Sequence, residues 1–258
     1  MKKAWDAIRQ SGIQIDEPTP FAHYLGCNQH PTKITPENVA KRLENISDLL
    51  PEPPKGQPKP DAKAIKSIVY DMAGFIHQCV DRYCELAKID KATLKTVPTP
   101  SLDDHQIDPS EFESPGTLSS EAAKILMKTL YCARLLRFDL LWTLCKLARE
   151  VTKWTKACDR RLHRLISYLH STTNHTLESF CADHATDLTL VVYADADFAG
   201  DTKTSKSTSG AYIALIGRNT FIPLGAWSKK QAVVFPTQAL KVKSYHWNKL
   251  CGGRRCLF

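Results

Sequence analysis

An α/β fold, helices first and an antiparallel sheet after them, follows from three features of the sequence. Apolar residues recur at helical spacing within 67–87, 121–150 and 156–171. Apolar runs of strand length occur at 187–197, 210–217 and 226–235. The first two runs are joined by the small-residue loop AGDTKTSKSTSG, a spacing that fits an antiparallel pair.

The elements follow in chain order. FAHYLGCNQHPTK (21–33) mixes aromatics with Gly26 and Pro31 and reads as a hairpin, or as a short strand and turn. PEPPKGQPKPDAK (51–63) holds five prolines and a glycine, which exclude helix and interior strand; it is a linker or long loop. Within 67–87, Ile76, Val80, Tyr83 and Leu86 share a helical face, with Phe75 and Cys79 beside it, which predicts an amphipathic helix over the segment. KTVPTPSLDDHQIDPSEFESPGTLSS (95–120) is irregular and rich in Pro, Ser and acids. Ser119 or Ser120 can cap the helix that follows, with Glu121 in its first turn. That helix, 121–150, is apolar on most faces and breaks near Arg137–Asp139. In the next, 156–171, Leu162, Leu165, Ile166 and Leu169 lie on one side, while Arg160, Arg161 and Arg164 fall largely on the other. No internal repeat is visible.

Bulk properties narrow the class. The 258 residues suffice for one large domain or two small ones, and 43% apolar with 24% charged content is that of a soluble globular protein. No apolar stretch approaches a membrane span, and MKKAWDAIRQSG lacks the apolar core of a signal peptide. The expectation is an intracellular chain, cytoplasmic or nuclear, with no membrane partner. Its nine cysteines are scattered without a CxxC pair and read as reduced and structural. The net charge of +8 is uneven: residues 121–170 hold eleven Lys and Arg against four acids. A concentrated positive face attracts a polyanion, so nucleic acid is the partner to test first, although most basic helix faces are simply solvated.

The run at 187–197 ends in an Asp-x-Asp. Leu188, Leu190 and Val192 fall on one face of this strand and Thr189, Val191 and Tyr193 on the other, with Asp195 and Asp197 together at its end. Carboxylates at a strand end are rigid oxygen ligands for a hard cation such as Mg²⁺. Equally, aspartates at such a place start turns. Spacing alone leaves both readings open.

From Tyr193 to Val234, YADADFAGDTKTSKSTSGAYIALIG followed by WSKKQAVV resembles the opening of the ribonuclease H region in copia-type retrotransposon polyproteins. The upstream chain resembles the same family in order. MKTLYCARLLRFDLLW and the basic helix after it are similar to the segment before ribonuclease H, where an R-x-D-[IL] element leads to a helix ending in R-x-[LI]-x-Y-L. IVYDMAGFIHQCVDRYCELAKIDKATLKTVPTP is similar to the segment that closes on P-x-x-T-P, and FAHYLGC to the primer-gripping hairpin of the reverse transcriptase.

The resemblance implies an incomplete ribonuclease-H-like mixed sheet of three antiparallel strands behind helical, reverse-transcriptase thumb- and connection-like segments. It implies a division into 1–100, with a Pro-rich loop at 51–61; a linker at 101–120; a basic connection at 121–172; and the front of a ribonuclease H at 187–236. It further implies an RNA–DNA hybrid or other nucleic acid as partner, the remainder of a Pol polyprotein as another, and Mg²⁺ as cofactor. Asp195 falls on the first catalytic carboxylate, with Asp197 beside it. Arg160, Arg161, Arg164 and Lys206 become candidates for touching nucleic acid, and Tyr24, Leu25 and Gly26 match the primer-grip hairpin.

The likeness fails at the tail. The family carries two glutamates on the helix after S-K-K-Q; by distance they fall here on Leu240 and Val242, and no Asp or Glu occurs from Phe235 onward. The remaining acids of both active sites would lie beyond the ends of this sequence. Read from the third base of the Gln238 codon, permitted codon choices yield Thr-Glu-x-Glu and an amphipathic helix. The expectation is a frameshift that makes 237–258 an unstructured, out-of-frame tail, and a chain that is hydrolytically silent.

Overall fold

The computed structural model describes residues 2–14, 22–44, 65–196 and 207–230. The linker at 51–61, the loop around Lys206, Asp197 and the tail 237–258 lie outside these residues.

Thirteen helices and strands make up the described chain: α1 (Lys2–Gln10), β1 (His23–Tyr24), β2 (Cys27–Ile34), α2 (Pro36–Glu44), β3 (Ile65–Asp71), α3 (Ala73–Ala87), α4 (Ala122–Leu135), α5 (Leu141–Arg149), α6 (Lys156–Ser171), β4 (Leu177–Cys181), β5 (Thr189–Ala196), β6 (Thr208–Gly217) and β7 (Thr220–Lys230). The strands form one sheet in the order β1-β2-β3-β4-β7-β6-β5. The three-strand meander expected at 187–236 is present as β5-β6-β7, although β7 begins at Thr220, six residues before the run expected at 226–235. It does not end the sheet, because β4 joins it to the strands of the N-terminal segment through the pair Phe180–Phe221. Every pairing among the described residues is antiparallel, so a mixed α/β fold stands while a mixed sheet does not.

Helices α3 to α6 cover one face of this sheet. The apolar stripe read from the sequence is their core: Ile76, Val80, Leu162, Leu165, Ile166 and Leu169 are each fully buried. Each such side chain contributes roughly 1.5–3 kcal/mol by leaving water. Tyr193, Tyr212, Ala214 and Ile216 close the core from the sheet side. The break between α4 and α5 falls where the sequence places it, at a 3₁₀ turn over Phe138–Leu140.

Two expectations are corrected. The helix expected over 67–87 begins only at Ala73; residues 65–71 form β3, whose β-branched residues pair on both sides with β2 and β4. Neither Ser119 nor Ser120 caps α4. The chain enters that helix through a turn whose amides, Thr117 and Leu118, donate to Asp159 of α6 instead. Sheet continuity thus outweighs local helical period in the first case, and a tertiary acceptor outweighs a local one in the second.

Candidate nucleic-acid and metal site

Asp195 sits at the end of β5, where the outermost strand of the sheet pairs with β6 through Asp195–Gly210. Strand alternation puts it on the same face as Val191 and Tyr193, the helix-covered one. The last apolar support below it is a ring cluster, Tyr193 against Tyr212 at 6.1 Å and Tyr212 against Phe138 at 5.9 Å. Beyond those rings Asp195 is exposed. Gly210 keeps the space beside it open: a Cβ there would meet only the Trp227 carbonyl, at 3.9 Å.

A two-Mg²⁺ centre needs about four carboxylates to offset the repulsion of two close divalent ions. Gly210, the cross-strand neighbour, supplies no side-chain ligand. Among the described residues no group of three or more His, Cys, Asp or Glu could hold a metal ion. The described residues therefore do not fit such a centre. Asp197 lies outside them.

The hairpin candidates stand at the other edge of the sheet. Tyr24 pairs with Cys27, and Leu25 and Gly26 turn the corner with φ of 51° and 79°. Positive φ at two central residues matches the type I′ twist of a two-residue hairpin. Gly26 adopts it without strain, whereas Leu25 pays roughly 1–2 kcal/mol. That strain is held by Tyr131 of α4, whose hydroxyl donates to the Leu25 carbonyl at 2.6 Å. Tyr24 and Leu25 are left 65% and 57% exposed. Under them Phe75 packs on Tyr131 at 5.2 Å, and the Lys128 ammonium lies 5.8 Å above the Phe75 ring. Lys128 has no carboxylate partner among the described residues. An exposed aromatic side chain beside a cation that lacks a carboxylate is what a stacked base and its phosphate require.

Antiparallel alternation across the sheet brings the hairpin tip and the end of β5 to the same end of it. They sit at opposite edges, six strand spacings or roughly 29 Å apart before twist. The two candidates share one end of the sheet, not a pocket.

The three arginines of α6 are engaged within the protein. Residues 101–113 fold over the helix in short 3₁₀ turns and deliver acids to it. Arg160 pairs with Glu111 at 3.0 Å. Arg161, 7% exposed, pairs with Asp104 and lies 5.2 Å over the Phe112 ring. Burial would raise the Asp104 pKa, but Lys146 and Arg161 prevail and hold it below the usual carboxylate value. Arg164 donates through Nε and Nη2 to the carbonyl and hydroxyl of Thr99. The outward face expected for these residues is therefore covered on the side of Arg161. His163 and His170 of the same helix are half-buried, and burial lowers both pKa values.

Sequence reading missed the strongest polar contact in the helical layer. Arg137, 2% exposed, makes a two-pronged ion pair with Asp139 at 3.0 and 2.8 Å and donates to the Thr172 carbonyl and hydroxyl. Burial would depress its pKa, yet the Asp139 hydrogen bonds and charge raise it. The signal was the Arg-x-Asp inside an apolar run, where two charges persist only if they meet. Comparison of the chain with protein-family models, with curated proteins and with solved structures finds no match.

Proposed function

We propose that the chain derives from a copia-type retrotransposon polyprotein, joining the back of a reverse transcriptase to the front of a ribonuclease H, and that it does not hydrolyse nucleic acid as it stands. The observation that carries this reading is the β5-β6-β7 meander with Asp195 exposed at the end of its first strand, opposite a glycine. The order of motifs along the sequence supports the same origin. Loss of activity rests on ligand count: one described carboxylate cannot hold two divalent ions, and the positions of the family's next two acids are Leu240 and Val242.

A second reading, non-catalytic binding of nucleic acid by the basic 121–170 region, is favoured by the hairpin platform. Lys128 and Tyr131 belong to that region and stand beside the exposed Tyr24 and Leu25.

The test is incubation of the purified chain with an RNA–DNA hybrid in Mg²⁺ or Mn²⁺. No cleavage is expected, and Asp195→Asn should behave as the parent does. Cleavage that Asp195→Asn abolishes would overturn the loss of activity. Binding that weakens with salt and drops on Tyr24→Ala with Lys128→Gln would establish the second reading.

A further inference from the structure

Beyond the end of α3, residues 88–102 and the turn at 117–118 arch over α6 and leave an open cavity of about 560 Å³. That volume lies within the range of small-ligand pockets. The cavity is not part of the sites above. Tyr83, on its wall, lies eight residues along α3 from Phe75 under the hairpin, or roughly 12 Å of helix rise.

The lining divides by chemistry. Ala87, Ile89, Val97, Leu102 and Leu118 form an apolar wall. Facing it are Lys95, His163, Arg164 and Ser167. Asp159, the carboxylate at the far end, is already satisfied. One of its oxygens accepts from the amide and hydroxyl of Thr117, the other from the Leu118 amide and the Trp154 indole. Tyr83 and His163 are joined by a hydrogen bond of 3.0 Å, so the imidazole is fixed as part of the wall.

The basic groups at the opposite end lack counter-ions. Of the three arginines on α6, Arg160 has Glu111 and Arg161 has Asp104, while Arg164 has no carboxylate among the described residues. Its bonds to Thr99 orient the guanidinium and leave Nη1 uncommitted. Lys95 is exposed and without an acid partner among the described residues. Ser167, only 2% exposed, lines the cavity as well. Arg164 lies five residues beyond Asp159, roughly 7.5 Å along the helix, which separates an anion at Arg164 from that carboxylate.

We propose that this cavity binds a small organic phosphate with a flat apolar body. The phosphate sits between the Arg164 fork and the Lys95 ammonium, with Ser167 donating to it, and the body lies along Ile89, Val97 and Leu118. Two cations suit a dianion better than a single carboxylate, and a preoriented guanidinium gives charge-assisted bonds at little ordering cost. The apolar wall gives the body a surface that inorganic phosphate cannot use.

Calorimetric titration of the full chain with adenosine monophosphate, adenosine and inorganic phosphate tests this. Saturable binding of the monophosphate is expected, at least about tenfold tighter than either fragment. Lys95→Gln, which removes no hydrogen bond or ion pair among the described residues, and Arg164→Gln should each weaken it about tenfold. Tyr24→Ala with Lys128→Gln should leave it unchanged, which separates this site from the hairpin platform. Absence of saturable binding, equal affinity in the Lys95→Gln variant with its unfolding temperature unchanged, or inorganic phosphate binding as tightly as the nucleotide would each overturn the proposal.

Discussion

The two halves of the sheet are covered differently. Strands β2 to β4 are sandwiched: the helical layer lies on one face, and α2 covers the other with Val39 and Leu43 packed on Ile34, Ile65 and Phe180. An ion pair between Arg42 and Glu178, with Ser67 donating to the same carboxylate, ties α2 to β4. Strands β5 to β7 have the helical layer on one face, while on the other Leu190 is 59% exposed, Val192 46% and Trp227 47%. Among the described residues nothing covers them. A sheet face that buries its apolar side chains needs a second layer, and among the described residues one half of the sheet shows one. Among the described residues, the half that carries Asp195 leaves apolar side chains exposed on its second face.

The largest effect should come from the helical layer that both halves share. Arg137→Ala leaves the partly buried Asp139 carboxylate without its partner and frees the junction of α4 and α5 from Thr172 at the end of α6. A loss of about 3–5 kcal/mol is expected. Denaturant unfolding should report it as a drop in midpoint for the whole molecule, by circular dichroism and by tryptophan fluorescence together. Replacing the pair with apolar residues of similar volume, Arg137→Met with Asp139→Leu, should recover most of the loss. If the single variant loses less than about 1 kcal/mol, the pair does not anchor the layer.

An intermediate effect belongs to the sandwiched half. Val39→Ala removes two methyl groups from a residue that is 1% exposed, at a cost of about 2 kcal/mol. Hydrogen exchange should show the loss in β2, β3 and β4 and spare β5 and β6. The strands of the two halves meet through one residue pair, the Thr220 hydroxyl accepting from the amides of Ala182 and Asp183, and the Asp183 carboxylate accepting from the amide and side chain of Asn219. Equal acceleration of exchange in β5 and β6 would mean that the halves open together.

The same contrast explains what the sequence reveals. Helices α4 to α6 and strands β5 to β7 are legible because each has its period intact and its partner nearby in the chain. The strand at 65–71 is hidden because its pairing partners, 28–34 and 177–181, are supplied from afar. Helix α2 carries signals that could have found it: Pro36 at its first position, Glu37 in the first turn, and Lys41 with Arg42 in the last. Asp195 is legible as the end of an apolar strand. The engagement of Arg160 and Arg161 is not, since a helical wheel reports a face and not what lies on it. Even so, the acids at 103, 104, 108, 111 and 113 stand in the irregular segment just before the basic helices, and complementary charge of that kind is a docking signal.

The smallest effect is the sharpest probe of the two faces, because it compares adjacent residues. Val191 packs against the helical core, and its neighbour Val192 points to the uncovered side. Threonine has the shape of valine with a hydroxyl in place of one methyl, so volume and β-propensity change little. Val191→Thr places that hydroxyl among apolar side chains and should cost about 1–2 kcal/mol. Val192→Thr should stay within about 0.5 kcal/mol and reduce self-association, measured by sedimentation at rising concentration. Should Val192→Thr destabilise as much as Val191→Thr, the second face of β5 to β7 is covered in solution. Loss that grows on dilution would assign that cover to another copy of the chain, and loss independent of concentration would assign it to the chain itself.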